Sequence, residues 1–212
     1  MAVEDPRAAL LDAARAAFAV GGYARSSLKG VAAAAGVAPT VLKQYYDSKE
    51  QLFAAMLRLP YDPASAVPAL LAPGIDGLGE RLVRLTFATL GDDEVRANLE
   101  SLLRAGGAAG RAAPDLSRVL GSLTEYIELS LLDRVVNAIG LPDARMRGAL
   151  IASYLLGVGA GRYLVKIPPL DSADEDSVVR MVAPTIQALL DPTVPLLPDG
   201  TGDASAAKGG RP

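Results

Sequence analysis

Between Gly36 and Phe53 the chain reads GVAPTVLKQYYDSKEQLF, which sets two lysines, two glutamines and two adjacent tyrosines beside a turn glycine and a helix start. These side chains exchange hydrogen bonds and carry positive charge, but no nucleophile stands beside a base. The chemistry on offer is recognition of an anion or a polar edge. The rest of the chain narrows the field. Its 212 residues include no cysteine and no histidine. Disulfides, thiolate metal sites, Cys nucleophiles, Ser-His-Asp triads and His-ligated metals are therefore excluded. An enzyme would need carboxylates, Lys, Tyr or a bound cofactor, and the acids are scattered at helix starts and outer faces. We expect no enzyme, no metal and no cofactor.

The elements that position this stretch are helical. Alanine, leucine and valine dominate, aromatics make up 5%, and no strand-like alternation is sustained. In DPRAALLDAARAAFAVGGY, Leu10, Ala14 and Phe18 recur at i, i+4 and i+8; Pro6 suits the first turn and Gly21-Gly22 the stop. SSLKGVAAAAG opens on Ser26 as an N-cap candidate and ends at Gly36. VAPTVLKQYY follows, with Pro39 near a first helical position. Ser48 starts a fourth helix, with Gln51 placed as in a capping box, and Pro60 closes it. Two short helices around a glycine turn outline a helix-turn-helix.

Charge is uneven along the chain. The total is −3, yet residues 1–58 hold seven Lys/Arg against five acids, leaving the acidic excess to the remainder. The longest uncharged run, Gly148 to Gly161, is 14 residues, too short for a membrane span. No signal peptide is read at the start, and a cytoplasmic location is the default.

The order LLDAARAAFAVGGYARSSLKGVAAAAGVAPTVLKQYYDSKEQLF resembles the N-terminal domain of the TetR (tetracycline-repressor-like) family of bacterial regulators. The likeness rests on linked positions: Ala13-Ala14, Phe18, Gly22-Tyr23, Ser26-Ser27, Val31-Ala32, Ala35-Gly36-Val37, Leu42, Tyr45-Tyr46 and Ser48-Lys49-Glu50. The segment YLLGVGAGRYLVKIPPLDSADEDSVVRMVAPTIQALL also looks like the C-terminal domain of one subgroup. From Pro192 the Pro/Gly/Ala-rich composition reads as a disordered tail over 192–212. The resemblance implies an all-α fold: a helix-turn-helix DNA-binding domain over 1–47 and a larger helical ligand-binding and dimerisation domain over 48–191. It implies a homodimer on near-palindromic double-stranded operator DNA, a small hydrophobic effector, and no membrane.

On this reading Ala38–Tyr46 is the recognition helix. Pro39, Thr40, Lys43 and Gln44 are its exposed candidates, while Val41, Leu42 and Tyr46 hold it on its neighbours. Gln44 suits adenine, Lys43 guanine or phosphate, and Thr40 a thymine methyl or phosphate. Tyr45 stands where the family binds backbone phosphate. Ser26, Ser27 and Lys29 from the second helix and Lys49 from the fourth are further phosphate candidates. Two positions depart from the family. Lys43 stands where an aromatic is usual, and Ala38 replaces a Ser or Thr cap.

Beyond Pro60, one short helix is followed by helical patterns near Leu78–Leu90, Asp93–Arg104, Ala113–Ile139, Asp143–Val165 and Asp174–Leu190, with 105–110 and 167–176 as connectors. The resemblance places Phe87, Leu90, Asn98, Leu103, Leu123, Tyr126, Ile127 and Tyr154 around a ligand, though ordinary core packing explains the same residues. It places Tyr154, Gly157, Val158, Gly161, Met181 and Ile186 at a dimer interface. GVGAGR (157–162) lacks the spacing and preceding strand of a nucleotide loop. Pro184 should bend or break the last helix. A competing reading is an all-α ligand-binding dimer whose helix-turn-helix has lost DNA affinity.

Overall fold

The computed structural model describes residues 5–61, 63–108, 116–194 and 196, with no side chains described at 63–64, 103–108 and 116–120. The described residues form helices and no strand.

Helix α1 (Pro6–Gly21) begins at Asp5, whose carboxylate accepts from the Arg7 and Ala8 N–H groups at 3.0 and 3.1 Å. Those donors would otherwise have no partner in the first turn. Helix α2 (Leu28–Ala34) is capped by Ser27, not Ser26: the Ser27 hydroxyl accepts from Gly30 N–H. Ser26 faces the other way and donates to the carbonyls of Gly22 (2.7 Å) and Ala17 (3.2 Å). Gly36 then takes φ +68, the left-handed conformation that reverses the chain into α3 (Pro39–Tyr45). Its N-cap, Ala38, makes no side-chain hydrogen bond. Helix α4 (Lys49–Leu57) starts at Ser48, whose hydroxyl accepts from Gln51 N–H, while the Gln51 side chain reaches back to Asp47 N–H at 2.9 Å. The helix ends before Pro60, where Arg58 adopts a left-handed conformation.

The remaining helices are α5 (Pro63–Leu71), α6 (Leu78–Gly91), α7 (Asp93–Ala108), α8 (Leu116–Ile127), α9 (Asp133–Ile139), α10 (Ala144–Tyr163) and α11 (Glu175–Leu189). Several expectations are corrected here. Helix α7 runs through Gly106-Gly107 to Ala108, so a connector cannot begin at 105. A π-helical turn, Glu128–Leu132, interrupts the long helix, and Ala113 lies outside the described residues. The wider turn advances the register, so Leu131 and Leu132 are both buried, followed by Val135 and Val136. Helix α11 continues through the exposed Pro184 without a break.

Two apolar cores result. One runs from α1–α4 (Leu10, Phe18, Tyr23, Leu42, Phe53) into α7, α8 and α10 (Val95, Leu99, Leu123, Tyr126, Leu156). It crosses the position 47/48 without interruption. The other joins α5, α6, α9, α10 and α11 around Leu82, Phe87, Val135, Ile151 and Ile186. Where α6 meets α11, a Cβ on Gly79 would stand 2.7 Å from the Ala183 carbonyl oxygen and from Gln187 N, so only glycine permits this approach. The Gln187 side chain accepts from Gly79 N–H at 2.9 Å and donates to Ile75 O at 3.1 Å, capping α6 from a distant part of the chain.

Arg147 is 1% exposed. Its guanidinium donates to the carbonyls of Pro142, Leu189, Asp191 and Val194. A buried cation is tolerable because each of these carbonyls takes one of its donors. The chain is thus held through Val194, past the expected start of the tail at 192; residues 197–212 lie outside the described ones.

Candidate nucleic-acid interface and ligand cavity

Leu42 and Tyr46 are buried and Val41 half-buried, so α3 rests on α1 and α2 by one face. Its other face presents Pro39, Thr40, Lys43 and Gln44, all exposed, with Tyr45 at the end. Spacing of three and four residues aligns Thr40, Lys43 and Gln44 on one side. An ammonium, a carboxamide and a hydroxyl so arranged match the donor and acceptor edges of a major groove. Ser27 and Lys29 at the start of α2 are also exposed. Among the described residues no ion pair engages Lys29 or Lys43, leaving both charges for an anion.

Two candidates stand differently. The hydroxyl proton of Ser26 is committed inside the protein, so it has none to offer a phosphate. Lys49 is a brace: its Nζ donates to Tyr23 O at 3.0 Å and Ala24 O at 3.4 Å and lies 4.2 Å from the centre of the Tyr23 ring. This ties the start of α4 to the turn after α1 by charge-assisted hydrogen bonds and a cation–π contact.

Behind this surface lies a narrow, partly open apolar cavity. Leu85, Thr86, Thr89 and Leu90 of α6 form one wall, and Leu123, Tyr126, Ile127 and Leu131 another. Leu155 and Leu156 of α10 close the back, and Leu59 and Tyr61 close the side next to α4. Of the expected ligand residues, Leu90, Leu123, Tyr126 and Ile127 line it. Phe87 instead packs edge-on against Tyr163 at 5.7 Å in the second core. Asn98 donates to Glu94 O, within its own helix. Tyr154 is 47% exposed on the outer side of α10 and cannot contact a guest in the cavity. The Leu103 side chain lies outside the described residues.

Thr86 shares the helical face of Leu90 at i−4 and was legible in principle. Leu59 and Tyr61 sit in a connection with no periodicity, so nothing in the sequence pointed to them. Burial pushes the Tyr61 phenol up to about 12, partly offset by a hydrogen bond with Thr89.

The expected dimer residues divide. Tyr154, Gly157 and Met181 are exposed, Met181 by 79%, and Val158 is half-buried. Gly161 and Ile186 are corrected: they face inward. A Cβ on Gly161 would stand 3.3 Å from Leu170 and 3.4 Å from Ile167 of its own chain, and Ile186 belongs to the second core. The closest approach in GVGAGR belongs to Gly159, whose Cβ would meet Leu90 and Thr86 of α6. Among the described residues no cluster of acids could hold a metal ion, and no helix is long and apolar enough to cross a membrane.

The sequence profile of the tetR family of bacterial regulatory proteins matches residues 10–56, and that of the tetracyclin repressor-like C-terminal domain matches residues 76–190. No curated protein matches the chain. Among solved structures, a TetR-family regulator from Streptomyces coelicolor A3 is similar at 32% identity and TM-score 0.52, over 87% of this chain and 94% of that one. NalD, the secondary repressor of the MexAB-OprM multidrug efflux pump in Pseudomonas aeruginosa, is similar at 18% identity and TM-score 0.39, over 85% and 94%.

Proposed function

Because the chain belongs to the TetR family of bacterial regulatory proteins and is a DNA-binding transcriptional regulator, we propose that it is a homodimeric repressor. A small hydrophobic molecule entering the cavity releases it from its operator. The observation that carries this reading is the cavity's position. Tyr126 lines it and also packs against Phe53 of α4 and Tyr23 in the turn after α1, so a guest touches the support of the DNA-facing helices. A ligand that binds better when those supports are displaced shifts the population off DNA.

In the dimer, the exposed Tyr154, Gly157 and Met181 meet their copies across the outer faces of α10 and α11. Two α3 helices about 34–36 Å apart then enter successive major grooves. Gln44, Lys43 and Thr40 read base edges, and Ser27, Lys29 and Tyr45 hold phosphates.

The test is selection of bound duplexes from a random library at two salt concentrations. A palindromic motif with a steep salt dependence is expected. No enrichment at low salt would leave a ligand-binding dimer without DNA affinity. Met181→Glu should yield a monomer by sedimentation; an intact dimer would place the interface elsewhere.

A further inference from the structure

The cavity shares Leu59 and Tyr61 with an open groove on the outer side of α4, lined also by Gln51, Ala54, Ala55 and Arg58. Both shared side chains are half-buried. They are the partition between the interior and solvent, and Pro60 stands between them on the groove side. Among the described residues the lining carries no Lys, Arg, Asp or Glu. Its two threonines turn their hydroxyl protons back on their own helix, Thr86 to Leu82 O at 2.9 Å and Thr89 to Leu85 O at 2.6 Å. The charge on the groove, Arg58, is paired with Glu94 at 3.2 Å outside the cavity. A charged guest passing inward would lose its water and find no counter-ion among the described lining residues, and that desolvation cost is large.

We propose that the cavity takes a slender, uncharged, mainly apolar molecule admitted between Leu59 and Tyr61, and excludes carboxylates and ammonium ions of the same chain length. This rests on the ligand-released repressor reading and names the class of its ligand. The entry route follows from the partition, and the discrimination follows from the missing counter-ions.

The full chain is titrated by calorimetry with n-decanol, n-decanoate and n-decyltrimethylammonium below their micellar concentrations. Saturable binding of the alcohol is expected, with both ions at least about tenfold weaker. Leu131→Phe fills the cavity and should weaken the alcohol by a similar factor; Leu155→Phe serves if that variant melts early. The chain has no tryptophan, so stopped-flow tyrosine fluorescence follows entry. Tyr61→Ala should raise association and dissociation rates together, by more than it changes Kd. Equal binding of either ion, alcohol binding that neither filling variant weakens, or no binding of any probe would overturn the ligand class. Unchanged rates in Tyr61→Ala would overturn the route. Alcohol that binds but leaves the operator complex intact would instead sink the release mechanism and leave this assignment standing.

Discussion

The ring of Tyr126 stacks on that of Phe53, with centroids 4.7 Å apart and planes 29° from parallel, and meets Tyr23 edge-on at 5.5 Å. Tyr126 is a cavity wall, Phe53 belongs to α4, and Tyr23 follows α1. Three hydrogen bonds reinforce the junction. Glu125 accepts from Ala24 N–H at 2.7 Å, Ser122 donates to Phe18 O at 3.4 Å, and Tyr23 and Ser130 hydroxyls meet at 3.4 Å. Close packing leaves little slack, so a displaced Tyr126 must move what it touches.

This shared core predicts that the DNA-facing helices do not unfold alone. Urea denaturation followed by far-UV circular dichroism and by tyrosine fluorescence should give coincident transitions for α1–α4 and the helices they pack on. Phe53→Ala should lower the midpoint of that transition, at a cost of roughly 3–5 kcal/mol. An early transition confined to α1–α4 would show a separable domain and refute the shared core.

The lysines should separate by role. Lys43→Ala is expected to weaken binding to all duplexes and reduce the slope of log K against log salt by about one. Lys49→Ala should change that slope less and lower the melting temperature, because its ammonium already binds the Tyr23 and Ala24 carbonyls. Slope losses of equal size would assign Lys49 to phosphate.

Gly79 and Gly121 offer opposite signs for the same substitution. Gly79→Ala drives a methyl into the backbone of α11 and should cost roughly 1–3 kcal/mol. Nothing lies within 4 Å of a Cβ on Gly121, within α8, so Gly121→Ala should stabilise by about 0.5–1 kcal/mol through helix propensity. A thermal melt of Gly79→Ala no lower than that of the parent would contradict the packing of α6 on α11, and a lower one for Gly121→Ala would contradict the open space at Gly121.

Stability should fall at high pH for a stated reason. Burial pushes the Tyr23 phenol from 10.0 up to about 12, partly offset by its hydrogen bond to Ser130, and Tyr61 is raised likewise. A raised folded-state value means the unfolded chain loses these protons first. The contribution is therefore fully present below pH 10 and is lost as pH rises through about 12. Tyr23→Phe should flatten that decline in urea midpoints measured between pH 9 and 12; an unchanged decline would remove Tyr23 as its source.

Local rules made much of the chain legible without coordinates. Ser48 with Gln51, the glycine at 36 and the spacing of Leu10, Ala14 and Phe18 each act within a few residues, so the helices and their order follow from them. The exposed face of α3 was also legible, because the buried Leu42 and Tyr46 fix which side remains. Tertiary structure decided the rest. Helix α10 is apolar on most sides, so periodicity could not tell that Leu155 faces the cavity while Tyr154 faces solvent. The same helix sends Gly157 outward, Gly159 against α6 and Gly161 under its own loop. Lys49 looked like a free cation until carbonyls 26 and 25 residues away were folded onto it. Arg147 is the sharpest case: a charge reads as surface, and only carbonyls 42, 44 and 47 residues distant make its burial tolerable. Short-range geometry is written in neighbouring residues, whereas the partner of a buried polar group is supplied by whichever distant segment packs against it.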